Sequence, residues 1–206
     1  MVLLMEKPAS PDHPILDLLK RRWSPRAFAD RPVEPHKLRQ IFEAARWAAS
    51  SFNEQPWRFF LATRENTQAF ERALSCLTPG NQAWAKDVPV LVLTATKKTF
   101  THNSKPNRVH QHDLGLAMGN LTVQAMALNL FVHQMAGIVP EKVREVYQLP
   151  EDYEPQTAFA VGYAGDPDRL TEDLRASELK PRTRKPLREL VFSGRFGEPS
   201  PIVAEE

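Results

Sequence analysis

A single cysteine, Cys76, stands among the 206 residues. An intramolecular disulfide is therefore excluded, which fits a reducing cytoplasm. Cys76 lies between Leu74 and Leu77 in a helix-like segment and reads as a buried structural thiol. Glycine is scarce, at 8 residues, and no glycine-rich phosphate loop or dinucleotide fingerprint is formed from them. No nucleophile elbow is present either. Long apolar runs are lacking. The most apolar stretch, 113–137, is interrupted by Asn120, Gln124, Asn129, His133 and Gln134, so it does not read as a membrane span. The opening MVLLMEKPASPD lacks the basic start and long apolar middle of a secretory signal. Neither sign of charge dominates: 27 Lys and Arg against 25 Asp and Glu leave a net charge of +2. The cations gather locally at 20–26 and 180–188, which suits a small anion better than a nucleic acid.

Proline, by contrast, is plentiful at 18 residues. Prolines at 8, 11 and 14, and at 181, 186, 199 and 201, mark extended ends. With 42% hydrophobic residues the chain can bury a real core. The expectation is one domain over 1–206, with extended segments at 1–12 and 166–206.

Periodicity sketches the elements. Residues 13–22 read as a helix that Pro25 prevents from continuing. Residues 34–48 read as a second, with Pro35 in its first turn and Leu38, Ile41, Phe42, Ala45 and Ala49 at helical spacing. WRFFLAT (57–63) reads as a strand, 66–77 as a short helix, and VPVLVLTAT (88–96) as a buried strand dense in β-branched residues. After a polar connection at 97–108, residues 110–135 read as one long helix. Leu114, Ala117, Leu121, Ala125, Leu128, Val132 and Met135 recur at steps of three and four. A helix apolar on most sides is buried on most sides, in the core or against a second subunit. VPEKVREVYQLP (139–150) reads as another short helix and TAFAVGYAG (157–165) as a third strand. Beyond 166, little regular structure is expected except a turn near 184–190. Mixed helices and strands without strict alternation point to an α+β fold with a small sheet.

Two short stretches carry the chemistry. RRWSPRAF (21–28) crowds three arginines around Ser24 at a helix end. Cations there interact with the helix dipole at about 0.3–1 kcal/mol, and alone that accounts for them. Guanidinium forks beside a hydroxyl are also the parts of a phosphate site. SSFNEQPW (50–57) carries Asn53 and Gln55, whose amides both donate and accept. Held rigid before Pro56 they could read a ring edge of N–H and C=O groups; alone, a plain turn is the simpler account. His102, His110 and His112 lie close in sequence beside Asp113. Without a fourth ligand at a suitable spacing no zinc site is expected, and Asp113 is expected to stabilise the start of the long helix.

Taken together, RRWSPRAF and SSFNEQPW resemble the N-terminal signature of the nitroreductase family of FMN-dependent oxidoreductases. GNQAWAKDVPVLVL (80–93), HDLGLAMGNLTVQAMALNL (112–130), FAVGYAGDP (159–167) and PRTRKPLRELV (181–191) extend the resemblance in order along most of the chain. It implies a nitroreductase-like α+β fold: a small, mostly antiparallel sheet, flanked by helices around a long core helix, in an intertwined homodimer with FMN between the subunits. It implies Arg22, Ser24, Arg182 and Arg184 at the phosphate and ribityl chain, and Trp23 at a position of backbone contact. Arg26 falls near the flavin pyrimidine ring, where a fixed cation raises the reduction potential. Asn53, Gln55 and Asn81 become partners for flavin polar groups. Pro56 and Trp57 become locks on their loop. The turn Gln134, Met135, Ala136, Gly137 presents a backbone amide to the flavin. Trp84, where some members have lysine, either lines the substrate pocket or packs.

The implied activity is transfer of hydride from NAD(P)H, through FMN, to nitroaromatics, quinones or similar acceptors by a ping-pong scheme, without a catalytic acid–base side chain. Reductive dehalogenation, enone reduction or a flavin-binding module with little turnover are the alternatives. No metal, nucleic-acid or membrane partner is expected.

Overall fold

The computed structural model describes residues 6–203. Its organising element is the strand Val90–Lys97, β2, in which every residue but the last is buried. Side chains alternate across a strand, so Val90 and Val92 enter one apolar cluster while Leu91 and Leu93 enter another on the opposite face. A strand apolar on both faces needs a layer of helices on each. Three further strands complete the sheet: β1 (Trp57–Thr63), β3 (Phe131–Met135) and β4 (Tyr153–Gly162). Their spatial order is β1-β2-β4-β3, and all pairings are antiparallel.

One face is covered by α2 (Pro35–Arg46) and α5 (His110–Ala127). Pro35 opens α2, where its missing N–H costs nothing, and Leu38, Ile41 and Ala45 are the buried stripe. The other face receives α3 (Thr67–Leu74), α4 (Pro79–Ala85) and α6 (Pro140–Val146). Cys76 is fully buried there, and burial pushes its thiol pKa up. Two short helices lie toward the ends of the chain: α1 (Asp17–Arg21) and α7 (Glu172–Leu179).

The fold departs from the sequence expectations in several places. Strand β4, expected over 157–165, runs Tyr153–Gly162 because its pairing with β2 extends to Tyr153. The helix expected over 110–135 ends at Ala127. Asn129 takes a left-handed φ of 56°, the Leu130 N–H reaches back to Ala125 O at 2.8 Å, and the chain re-emerges as β3. Leu128, Val132 and Met135 satisfied a helical spacing by coincidence; Val132 and Met135 are inward residues of a strand. The first helix is shorter than 13–22, because Leu16 is still extended at its N-cap. Helix α4 was not expected; it has seven residues, one of them glycine. Nor was α7, whose TEDL start places Thr171 at the N-cap and two acids in the first turn. The long helix is buried along Leu114, Ala117, Leu121 and Ala125, while Gly115, Leu116, Gly119 and Asn120 are exposed in the protomer. Among the described residues no helix is long and apolar enough to cross a membrane.

Candidate functional site

Helix α1 stops at Arg21 and leaves its last carbonyls without intrahelical partners. The C-terminal segment supplies one. Arg182 Nη1 donates to Lys20 O at 2.9 Å and to Lys7 O at 2.8 Å. One guanidinium thus ties the N-terminal strap, the first helix and the C-terminal segment together. Arg22 and Arg184 complete the cluster. Arg22 Nη1 donates to Ser24 Oγ at 3.2 Å. Burial lowers the Arg22 pKa, and the like charges of Arg182 and Arg184 lower it further. Arg182 is lowered for the same reasons, burial first and Arg184 second. These arginines line a groove of about 580 Å³ that also carries Lys185, Asp12 and His13. Arg21 stands apart from it, bonding Asn129 Oδ1 at 3.4 Å and facing Asp17 at 3.8 Å as an ordinary helix-end cation.

Trp23 turns inward. It is 5% exposed, meets Phe131 edge-on at 5.9 Å, and carries Lys7 Nζ 5.3 Å above its ring. Its indole N–H is buried and finds no hydrogen-bond partner among the described residues. Its side chain therefore anchors the loop, in keeping with a backbone role toward any ligand.

Arg26 follows Pro25, whose carbonyl accepts a 2.8 Å bond from His133 on β3. A carbonyl can only accept, so His133 Nδ1 carries the proton. Burial holds the His133 pKa down at about 4, despite that hydrogen bond, so the ring is neutral at neutral pH. Its other contact is Trp84 on α4, with ring centroids 4.6 Å apart. Trp84 is 4% exposed and packs on His133, and it also lines a small pocket with Arg26 and Phe28.

Three residues before Trp84, Asn81 Nδ2 donates to Gly137 O at 3.0 Å. The Thr78 N–H and hydroxyl bond the same carbonyl at 3.0 and 3.2 Å. Three donors thus hold the turn after β3 in one orientation. Gly137 is required there: a Cβ would sit 2.5 Å from Asn81 Nδ2 and 2.6 Å from Thr78 Oγ1. Met135, the last residue of β3, is buried, and Ala136 is exposed at the turn. Asn81 is expected to face flavin; one bond from its amide nitrogen goes to Gly137 O, which leaves its second N–H and Oδ1 for other partners.

The Asn53 and Gln55 loop forms a separate group. Phe52, Asn53 and Gln55 have φ of 52°, 54° and 50°, a left-handed run that non-glycine residues rarely adopt. The loop is over-determined around that strain. Ser51 N–H donates to Asp113 Oδ2 at 3.1 Å, Gln55 N–H to Ser50 Oγ at 3.0 Å, and Lys97 N–H to Pro56 O at 2.9 Å. Glu54 accepts from the Thr101 N–H at 2.8 Å. Gln55 Nε2 donates to Asn53 O and Oδ1 at 3.1 and 3.2 Å, joining the two amides into one polar edge. Asp113 sits in the first turn of α5 as expected, and its tie to this loop is additional. Trp57 is 6% exposed, as a lock on the loop requires. His110 is bonded to Thr96 Oγ1 at 2.8 Å, and among the described residues no group of His, Cys, Asp or Glu could hold a metal ion.

Arg22, Arg182 and Arg184 therefore line one groove, and Ser24 is tied to it through Arg22. His133 and Trp84 connect the Arg26 segment with Asn81 and Gly137. The loop that carries Asn53 and Gln55 is held through Ser51, Glu54 and Pro56 by Asp113, Thr101 and Lys97, residues outside the other two groups. Sequence reasoning missed His133 and Glu178, whose carboxylate accepts from the Arg26 and Ala27 amides across more than 150 positions of sequence.

Comparison with known proteins places this arrangement. A crystal structure described as an oxidoreductase containing FMN superposes with a TM-score of 0.85 at 33% identity, covering 92% of this chain and 96% of that one. The major NAD(P)H-flavin oxidoreductase of Aliivibrio fischeri is 25% identical over 219 residues, 87% of this chain and 98% of its own. Nitrobenzene nitroreductase of Ectopseudomonas oleovorans is 35% identical over 80 residues, 38% of this chain and 34% of its own. The family model for nitroreductases matches residues 19–163, from the first arginine cluster to the end of the last strand, and the chain belongs to the nitroreductase family.

Proposed function

We propose that this protein is an FMN-dependent oxidoreductase that takes hydride from NAD(P)H and delivers it to nitroaromatics, quinones or similar acceptors. The observation that carries the reading is the crowding of Arg22, Arg182 and Arg184 at the groove beside Ser24. Burial and the neighbouring like charges disfavour the charged forms of Arg22 and Arg182, and a bound dianion would offset both. A phosphate monoester fits that donor set, and the flavin would extend from it past Arg26 toward the Asn81 and Gly137 turn. The relatives named as flavin oxidoreductase and nitrobenzene nitroreductase support the cofactor and the acceptor class.

When bound, FMN supplies the two-electron chemistry. The protein's residues hold and orient. Arg22, Ser24 and Arg184 would bind the phosphate, and Arg182 would add charge while fixing the end of α1. Arg26 would set the potential near the pyrimidine ring. The turn at Met135, Ala136 and Gly137 would offer backbone to the ring edge, with Asn81 holding it still. His133 is neutral, with its Nδ1 proton held by the Pro25 carbonyl, and no acid–base side chain is assigned. In a ping-pong scheme nicotinamide and acceptor would occupy the same face in turn. The chain would act as one domain, in the cytoplasm.

Anaerobic titration of the FMN-loaded protein tests this. NADH or NADPH should bleach the flavin absorbance, and nitroaromatic or quinone acceptors should restore it. A protein that takes up no FMN defeats the reading, and one that binds FMN but stays oxidised with both nucleotides is a binding module.

The Asn53 and Gln55 edge would reach the flavin of a second subunit. The exposed stretch of α5 suits such a partner: an added Cβ at Gly115 or Gly119 meets nothing within 4 Å, and Leu116 is 40% exposed. Light scattering should give twice the chain mass, and Leu116→Asp should yield monomers with little FMN. An FMN-replete monomer of the unaltered protein overturns the dimer.

A further inference from the structure

Helix α7 buries a carboxylate. Glu178 is 2% exposed, and a charge at that depth is costly unless it is paired and hydrogen-bonded. Its partners belong to the cationic stretch. Oε1 accepts from the Arg26 N–H at 2.8 Å and the Ala27 N–H at 3.1 Å; Oε2 accepts from the Arg26 N–H at 3.1 Å. The Arg26 guanidinium lies 4.0 Å from Oε2, with 30% of its side chain exposed. Lys7 Nζ donates to the backbone carbonyl of Glu178. The carboxylate therefore grips the backbone that carries Arg26, and its charge stands beside the guanidinium without absorbing it in a close bidentate pair.

We propose that Glu178 is a positioning residue for Arg26 that also sets the bound flavin's reduction potential. It pins the Arg26 backbone so that the guanidinium projects outward. Its buried negative charge weakens the positive field that a ligand meets there. The inference rests on the reading above that Arg26 faces the flavin. A purely structural peg would not need the charge, because the two bonds to Oε1 can be made by an amide oxygen. Glu178→Gln keeps those two bonds and removes the charge.

The test is the midpoint potential of the FMN-loaded protein, measured by equilibration with a reference dye. Glu178→Gln should raise the reduced-to-oxidised ratio at a given potential about tenfold, equivalent to about 30 mV for a two-electron couple. Arg26→Gln should lower the ratio, and should lower it more than it weakens FMN binding. In the double variant the rise caused by Glu178→Gln should persist, because the fields of the two charges add at the flavin. Glu178→Asp, still charged, should stay near the parent and serves as a second variant if the glutamine form loads poorly. If Arg26→Gln lowers the potential and Glu178→Gln leaves it unchanged, Glu178 is a structural peg and the inference fails alone. The same holds if Glu178→Asp shifts the potential as far as glutamine does. If Arg26→Gln leaves the potential unchanged, the placement of Arg26 beside the flavin fails, and the inference with it.

Discussion

Arg22→Ala should weaken FMN binding by about ten- to a hundredfold while leaving the cofactor-free protein as stable as before, or more so. The two signs come from one cause. Arg22 is held beside Arg182 and Arg184, and burial and repulsion already disfavour its charge. Removing it relieves the free protein. With phosphate present, the same removal deletes a charge-assisted hydrogen bond worth about 1.5–3 kcal/mol, and about 1.4 kcal/mol is a tenfold change in affinity. Quenching of flavin fluorescence in a titration of apoprotein reports the affinity, and melting with and without FMN reports the sign change. Raising salt should weaken the parent's binding more than the variant's. Arg182→Ala serves as the contrast. Its Nη1 bonds the carbonyls of Lys7 and Lys20, so its loss should lower the stability of the free protein as well. An Arg22→Ala protein that binds FMN like the parent would remove the phosphate from this groove.

Gly165→Ala should cost about 3 kcal/mol of stability, toward the upper end of what overpacking usually costs. A Cβ there would lie 2.4 Å from the Phe28 carbonyl carbon, 2.5 Å from its oxygen and 2.7 Å from the Ala29 nitrogen. All three are backbone atoms of a segment pinned on both sides. Gly165 N–H bonds Ala27 O at 2.8 Å, Ala29 N–H bonds Tyr163 O at 2.9 Å, and Phe28 bridges Ala164. No side chain can swing aside, so the backbone must move. For a chain of this size the loss corresponds to roughly 6–12 °C in melting temperature. The displaced segment carries Arg26 two residues upstream of Phe28, so FMN affinity should fall too. Gly80→Ala is the control: nothing lies within 4 Å of its Cβ, and within α4 alanine should be neutral or slightly stabilising. Equal melting temperatures for Gly165→Ala and the parent would mean that residues 27–29 are not clamped by the end of β4.

Local pattern carried much of the fold. The β-branched run in 88–96 announced β2 because a strand buried on both faces takes apolar side chains, or hydroxyls that find a partner as Thr94 does with Thr157. Pro35 and the stripe through Leu38, Ile41 and Ala45 announced α2. Pattern failed where two elements shared one period. Leu128, Val132 and Met135 continue the spacing of α5, and the break at Asn129 rests on a left-handed φ that the residue type only permits. Helices α4 and α7 escaped although α3 and α6 are as short, because α4 opens on Pro-Gly and α7 buries only Glu178, so neither shows an apolar stripe.

The family and the kinds of residue at its site were determined by the sequence alone, because the arginine stretch and the amide loop are each contiguous and keep their order. Which of these side chains meet was decided by the tertiary structure. Arg182 and Arg22 are both arginines in basic stretches; one is engaged on carbonyls and the other stands beside Ser24 at the groove. Trp84 meets His133 because β3 brings that ring to α4. Glu178, an unremarked acid in a tail, became the buried counter-ion of Arg26 because α7 folds back across 152 positions. Such pairings depend on two distant segments meeting at hydrogen-bond distance, and local residue pattern holds no record of that meeting.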